Sequence, residues 1–200
     1  MKKRKAEFVW LGQKHIFDVN EGLWLDLGCG KNAHEGFKGV DKRDLPNVEQ
    51  INLEHFPWPW AEGSVQVILA SQIVEHLDPS NSINFMNECH RILEDDGLLV
   101  VITPYGTSER HYQDPTHKNP WIRYTPFYFV PGNHLYDVYE PKQWKIETLT
   151  YNMQRDLGVA FRKIDNISPE EEEKIRKLWK YVAMAETVNE ESKKIEKVRV

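Results

Sequence analysis

The chain has 200 residues, 40% of them hydrophobic and 12% aromatic, which is enough for one domain with a sizeable core. Its formal net charge of −5 argues against a general polyanion-binding protein, and no apolar stretch approaches the ~18 residues that a transmembrane helix needs. Cys29 and Cys89 form no CxxC pair, and no signal-peptide core follows the basic start. We therefore expect a reduced, cytoplasmic protein without a membrane span.

The predicted elements alternate short apolar strands with turns or helices. A first strand is expected near residues 8–11, and a helix at 81–93 shows apolar residues at helical spacing. Seven further strands are predicted at 23–27, 38–41, 48–52, 65–70, 98–103, 145–151 and 158–167. This order predicts an α/β fold with a mostly parallel seven-stranded sheet, helices on both faces and a late antiparallel hairpin.

Two segments interrupt the alternating pattern of strands and helices. Residues 104–144 hold six prolines and many aromatic residues, and a tract this long without clear periodicity is usually functional. We interpret it as an acceptor-side insertion or lid within a domain spanning 1–167. Residues 168–200 are predicted to form a C-terminal helix, begun by Ser-Pro-Glu-Glu at 168–171, and a charged tail.

The stretch 23–44 predicts a ligand site at the strand ends. Gly28 and Gly30 follow a buried strand and allow a tight turn that brings the backbone close to a ligand. Asp41 ends the next strand, at the edge of an open α/β sheet where ligands bind. A carboxylate there suits the two hydroxyls of a ribose, and Asp26 before the first glycine suits an ammonium group.

The same glycine pattern would admit a dinucleotide, but three details argue against a nicotinamide cofactor. Only eight residues separate Gly30 from Gly39, too few for a full crossover helix. Asp41 comes 13 positions after Gly28, whereas the dinucleotide pattern expects about 20. Asp26 would also repel a pyrophosphate. A ligand with a ribose, an ammonium and no phosphate fits better, and S-adenosylmethionine (SAM) has these groups.

At this point the sequence resembles the class I SAM-dependent methyltransferases, in particular the methyltransferase type 11 group. The resemblance covers about residues 22–121, and its motifs occur in the family's order. They are DLGCG at 26–30, GVDKRD at 39–44, NLEHFPWPWAEGSVQVILASQIVEHL at 52–77, RILEDDGLLVVITPY at 91–105 and, more loosely, HYQDPTHKNPW at 111–121.

The resemblance implies a Rossmann-like methyltransferase fold and a SAM site. Asp26 would reach the methionine ammonium, Asp41 the ribose, and Asn52 and Leu53 the adenine. The full implied set is Asp26, Gly28, Cys29, Gly30, Asp41, Lys42, Asn52, Leu53, Ser71, Gln72 and His76.

Structural alternatives stay open at several of these positions. Asp26 could cap the next turn, and Asp41 could pair with Lys42 or Arg43. Asn52 and Leu53 could be an ordinary strand end. Cys29 is interpreted as a small buried residue and not as a nucleophile, and Glu75 with His76 as a family motif or as a structural network at a helix start.

On the acceptor side, we predict a cluster of His111, Asp114 and His117, with a histidine as a general base if the acceptor must lose a proton. Structural hydrogen bonding in an irregular loop is the alternative. The spacing matches no metal motif, so no metal is predicted.

The sequence therefore predicts a SAM-dependent methyltransferase that acts by in-line displacement on a small-molecule or glycan-type acceptor. The alternative is a non-catalytic SAM-binding protein with a partner surface at 104–136. A nucleic-acid substrate is disfavoured by the acidic net charge, although the basic residues 2–5 would allow contact with one.

Overall fold

A computed structural model describes residues 2–131, 136–139, 141–165, 168–170, 173–174, 177 and 196–199. Its strands are β1 Lys3–Trp10, β2 Gln13–Asn20, β3 Leu23–Leu27, β4 Lys38–Asp41, β5 Glu49–Gln50, β6 Val65–Ser71, β7 Leu93–Pro104, β8 Trp144–Tyr151, β9 Asp156–Lys163 and β10 Glu196–Arg199. Its helices are α1 Ser82–Ile92, α2 Glu109–Tyr112 and α3 Tyr136–Tyr139, with 3-10 turns at Val74–His76, Pro79–Asn81 and Thr125–Phe129.

The main sheet has the strand order β10-β8-β9-β7-β6-β3-β4-β5. Strands β3 to β7 pair in parallel, whereas β9 runs antiparallel to both β7 and β8. The predicted mostly parallel sheet of seven strands with a late antiparallel hairpin is confirmed, and β10 adds a short antiparallel strand beside β8. The parallel strands all end at one edge, which is where the predicted ligand residues lie.

One face of the sheet is covered by α1. Its buried residues Phe85, Met86, Cys89 and Ile92 pack into the larger hydrophobic core. The helical spacing of apolar residues at 81–93 therefore predicted this helix correctly, to within a residue at each end.

The opposite face differs from the prediction of helices on both faces. Among the described residues, the antiparallel hairpin β1–β2 covers it, and its inward side chains Phe8, Trp10, Phe17 and Val19 pack on the sheet. Trp10 lies so close to Gly158 on β9 that a Cβ at Gly158 would collide with the indole ring. The short β3–β4 crossover contributes to this difference, because it consists of turns and irregular segments and supplies no helix to this face.

The basic start belongs to this hairpin. Lys5 forms an ion pair with Asp18 at 2.5 Å, Lys2 forms one with Glu21 at 3.3 Å, and the Arg4 guanidinium lies 3.9 Å from the centroid of the Trp24 ring. These three basic side chains therefore have partners within the hairpin or on the adjacent sheet.

The tract 104–144 is irregular, as predicted, but much of it is core. Tyr105, Trp121, Phe127 and Phe129 are buried, and the Gly106 amide donates to the Trp121 carbonyl at 2.6 Å. These aromatic side chains anchor the tract to the sheet, so only part of it is left to form an acceptor wall.

The predicted C-terminal helix at 168–187 lies largely outside the described residues, although 169–170, 173–174 and 177 are helical. In the part of the chain that the structure describes, no helix is both long and apolar enough to cross a membrane.

Candidate functional site

The glycine turn after β3 is fastened to the neighbouring strand. The amides of Gly28 and Cys29 donate to the Val40 carbonyl at 2.8 and 3.1 Å. Gly28 and Gly30 both have positive φ, +71° and +64°, which favours glycine at both positions. Their surroundings differ, because a Cβ at Gly28 would lie 2.7 Å from Ile73 atoms, whereas one at Gly30 would meet only Arg43 Nη2 at 3.5 Å. Gly28 therefore faces packed protein, and Gly30 faces the space in front of the sheet edge.

Asp41 occupies the predicted position beside this turn. It is buried, and its carboxylate accepts from the Gly30 amide at 3.0 Å and from the Arg43 amide at 3.0 Å. The Arg43 guanidinium forms a bidentate pair with it, at 2.9 Å from Nε and 3.0 Å from Nη2. These hydrogen bonds, above all those from the Arg43 side chain, lower the pKa of Asp41 to about 2. The carboxylate is therefore ionised at neutral pH, and the ion pair that was the structural alternative is present.

Asp26 is also buried at the end of β3. Its Oδ2 accepts from the His34 amide at 2.9 Å and lies 3.0 Å from His34 Nδ1. The carboxylate thus caps the crossover turn, as the structural alternative expected. The His34 side chain on the other side of this contact is largely exposed.

The other predicted cofactor residues follow the ends of β3, β4 and β5 and differ in their surroundings. Cys29 is partly buried, and burial raises the pKa of its thiol, in keeping with a residue that is not a nucleophile. Lys42 is exposed. Asn52 Oδ1 caps its own turn by accepting from the Glu54 amide at 3.0 Å, and the Leu53 side chain is buried in the core.

The segment after β6 connects the glycine turn to the acceptor side. Ser71 ends the strand, and Gln72 is exposed with a φ of +57°, a conformation that non-glycine residues rarely adopt. Its amide donates to the Ile102 carbonyl at 2.7 Å. Ile73 then packs against Gly28, and Glu75 follows within the same turn.

The predicted acceptor loop is hydrogen-bonded onto this turn. The amides of Lys118 and Asn119 donate to the Glu75 carbonyl at 2.9 and 3.1 Å. Asn119 Nδ2 donates to the Val74 carbonyl at 3.0 Å and to Ser82 Oγ at 3.1 Å. Residues 37 to 45 positions apart in the sequence are therefore held side by side.

This arrangement brings the three predicted acceptor-side residues together and adds His76 to them. The rings of His111 and His117 have centroids 5.3 Å apart, and those of His76 and His117 4.6 Å apart. Asp114 Oδ2 lies 3.8 Å from His117 Nε2. His76, which the resemblance placed at the cofactor, lies in this histidine cluster.

Glu75 is the member of the cluster whose role the sequence left open. It is fully buried, and Oε2 accepts from Thr103 Oγ1 at 3.0 Å, while Oε1 has no hydrogen-bond partner among the described residues. Burial raises its pKa to about 7. Burial, and then the electrostatic influence of the neighbouring His117, lowers the pKa values of His76 and His111. The cluster therefore contains groups that change protonation near neutral pH, as acid–base chemistry requires.

A cavity of about 430 Å³ lies beside the loop. It shares Ser82 and Asn119 with the hydrogen bonds that fasten the loop, and its apolar and aromatic wall consists of Ile83, Trp121, Ile122, Tyr124, Tyr128 and Phe129. Four members of the predicted aromatic tract thus line a space of the size that small-molecule sites have.

Comparisons with known proteins agree with this geometry. The methyltransferase type 11 family, described as a methyltransferase domain, matches residues 31–101. Probable S-adenosylmethionine-dependent methyltransferases from two Mycobacterium tuberculosis strains are 43% identical over 61 residues, which is 30% of this chain. The match spans 21% of the length of those relatives.

Solved structures show the same fold. A SAM-dependent methyltransferase from Archaeoglobus fulgidus superimposes with a TM-score of 0.53 at 18% identity, covering 71% of this chain and 86% of that one. An S-adenosylmethionine-dependent methyltransferase from Mesorhizobium loti gives 0.51 at 14% identity, covering 70% and 90%. Over residues 31–101 the chain is therefore similar to the methyltransferase type 11 family, and its fold is that of solved SAM-dependent methyltransferases.

Proposed function

We propose that this protein is a SAM-dependent methyltransferase that acts on a small-molecule or glycan-type acceptor. The observation that carries the proposal is the pair of buried carboxylates, Asp26 and Asp41, on either side of a glycine turn at the carboxyl ends of two parallel strands. The family match over 31–101, which includes Asp41, supports it.

The residues at this edge fit the proposed cofactor. Gly30 leaves open space in front of its Cα, and the ionised Asp41 carboxylate beside it can accept hydrogen bonds from two ribose hydroxyls. Asp26 can hold an ammonium group. Arg43 and His34, which now partner these two carboxylates, have largely exposed side chains and can move aside. When bound, SAM supplies an activated methyl group on a sulfonium.

The protein contributes orientation, exclusion of water and a base. Holding the acceptor in line with the reacting carbon is worth several kcal/mol, of the order of 7–11 kcal/mol in the best intramolecular cases. His111 is buried beside His117, and its lowered pKa keeps it neutral and able to accept a proton from an acceptor hydroxyl. The cavity of about 430 Å³ has the size of a small-molecule site and supports an acceptor that is small or that inserts one small group.

Isothermal titration calorimetry with S-adenosylhomocysteine tests the cofactor half of this proposal. Asp41→Asn should weaken binding by about 10–100-fold, because hydrogen bonds to a charged group contribute about 1.5–3 kcal/mol. The matched control is Asp18→Asn, which removes the charge of another ion-paired aspartate, on the N-terminal hairpin. Equal affinity of wild type and Asp41→Asn, or tighter binding of NADH than of S-adenosylhomocysteine, would contradict the proposal.

Methyl transfer from labelled SAM to pools of small molecules and saccharides tests the other half. Incorporation that His111→Gln abolishes supports catalysis. Tight cofactor binding with no transfer to any pool would favour the alternative, a SAM-binding protein whose surface at 104–136 binds a partner.

A further inference from the structure

The histidine cluster has the donor set of a metal site. One ligand atom each from Glu75, His76 and His117 lies within 4.8 Å of the other two. Two imidazoles and one carboxylate are a combination that binds Zn²⁺ and similar first-row divalent ions, leaving further coordination positions open.

Hydrogen bonds fix which nitrogen of His76 carries a lone pair. The Thr116 hydroxyl donates its single proton to Asp114 Oδ1 at 2.7 Å. Its contact of 2.9 Å with His76 Nδ1 must then be donated by the ring, so Nδ1 carries the proton. The lone pair of a neutral His76 is consequently on Nε2.

The same reasoning holds for His117. Its Nδ1 lies 2.8 Å from the His111 carbonyl oxygen, which can only accept, so Nδ1 is again the donor and the lone pair of a neutral His117 is on Nε2. Ligand histidines in metal sites nearly always donate their second ring N–H to a carboxylate, a carbonyl or water. Here His117 donates to the carbonyl of His111. His76 donates to the Thr116 hydroxyl, which in turn donates to the Asp114 carboxylate.

Glu75 supplies the third ligand and the independent observation that points to an ion. Its side chain is fully buried, yet Oε1 lacks a hydrogen-bond partner among the described residues, while Thr103 holds Oε2 in place. A buried carboxylate oxygen without a donor is costly, and a cation beside it would remove that cost.

We propose that Glu75, His76 and His117 bind one Zn²⁺-type divalent ion. Two atoms bound to one tetrahedral ion at about 2.1 Å are about 3.4 Å apart, so small side-chain rotations would close the site from its present width. No local sequence motif indicates this metal site, because Glu75 and His76 are adjacent in the chain, whereas His117 comes from the loop that is hydrogen-bonded to the Glu75 carbonyl.

The position of the site suggests what the ion would bind. Glu75 follows Ile73, which packs on Gly28 of the cofactor turn, and Thr103 lies near the end of the adjacent strand β7. An open coordination position here would take an oxygen donor of the acceptor, such as a hydroxyl, carboxylate or phosphate oxygen. This role rests on the proposed methyltransferase function, whereas binding of the ion itself does not.

Metal titration of the EDTA-treated full chain tests the site directly. Visible absorption with Co²⁺ and calorimetry with Zn²⁺ should show one equivalent bound. Glu75→Gln and His117→Gln should each raise Kd by at least about 100-fold, since even outer-shell changes cost 10–100-fold. His55→Gln, an exposed histidine outside the cluster, is the matched control and should leave Kd unchanged.

The variant Thr116→Val tests the site without replacing a ligand residue, so it covers the case in which a ligand variant fails to fold. Thr116 is exposed, so its loss should leave the circular dichroism spectrum intact while raising Kd by about 10-fold through His76. Folded wild type that binds no stoichiometric ion, or ligand variants that bind as tightly as wild type, would overturn the proposal. Calorimetry with S-adenosylhomocysteine in EDTA is read separately, so failure of the metal site and failure of the cofactor site are distinguishable.

Discussion

The two glycines of the turn after β3, Gly28 and Gly30, should respond differently to substitution by alanine. Both have positive φ, so alanine at either position costs about 1–2 kcal/mol in backbone strain. At Gly28 the new Cβ would also lie 2.7–2.9 Å from three Ile73 atoms, including its Cβ, which cannot rotate away. Overpacking of this kind adds about 1–3 kcal/mol. At Gly30 the nearest atom is Arg43 Nη2 at 3.5 Å, on a mobile side chain.

Gly28→Ala should therefore be destabilised by about 2–5 kcal/mol and Gly30→Ala by about 1–2 kcal/mol. At about 2–4 °C per kcal/mol for a chain of this size, thermal unfolding by circular dichroism should separate their Tm values by several degrees. Calorimetry with S-adenosylhomocysteine should show the reverse order, with Gly30→Ala losing more affinity because its Cβ enters the ligand space. Equal Tm losses, or full affinity in Gly30→Ala, would refute the assignment of Gly28 to packing and Gly30 to the ligand.

Three further outcomes follow from particular contacts. Arg43→Ala should tighten S-adenosylhomocysteine binding by up to about 5-fold in calorimetry, because it removes an exposed ion-pair partner that occupies Asp41; weaker binding would mean that Arg43 contacts the ligand. In metal-free protein, Glu75 has a folded pKa of about 7 against an ordinary 4.5, so the folded state holds the proton more tightly and stability falls as pH rises from about 4.5 through 7. The free energy of unfolding should fall by about 3 kcal/mol over this range. Urea unfolding at pH 5 and pH 8 should show this fall in the wild type but not in Glu75→Gln, and an equal change of unfolding free energy with pH in both proteins would contradict the buried carboxylate. Trp10→Ala should cost about 3–5 kcal/mol in urea unfolding without changing cofactor affinity, and a loss below 1 kcal/mol would show that the hairpin is not an integral cover of the sheet.

The parts of the fold that the sequence predicted are those with local signals. The buried strands before Gly28 and after Gly63 are mostly apolar, with Asp26 and Gln66 as exceptions, and α1 shows helical spacing, so these elements were found with small errors at their ends. The glycine turn and the acidic strand ends are equally local, because strand, turn and carboxylate lie within 23–44.

The N-terminal hairpin was only half predicted. Its turn residues Leu11 and Gly12 both have positive φ, and leucine at such a position gives no turn signal. In β2 the inward-facing residues are His15, Phe17 and Val19, and the histidine hides the alternation. The hairpin can pack on the sheet because the β3–β4 crossover supplies no helix there. This packing is a tertiary feature that no local sequence pattern encodes.

The histidine cluster was predicted in part for a related reason. His111, Asp114 and His117 lie close in sequence and were grouped, whereas Glu75 and His76 join them through tertiary hydrogen bonds, such as those of Lys118 and Asn119 to the Glu75 carbonyl. No pattern in one sequence encodes a contact across 40 residues. The signal that was available was the glutamate itself, which the structure buries in the turn that follows strand β6, where an ionisable side chain needs a partner.

The measurement that most directly tests the account is calorimetric titration of the wild-type protein with S-adenosylhomocysteine, in parallel with Asp41→Asn and Asp18→Asn. The account predicts one saturable site, an affinity about 10–100-fold weaker in Asp41→Asn, and an unchanged affinity in Asp18→Asn. Absence of binding to folded wild type, or binding that Asp41→Asn leaves intact, would contradict the assignment of this sheet edge as a SAM site.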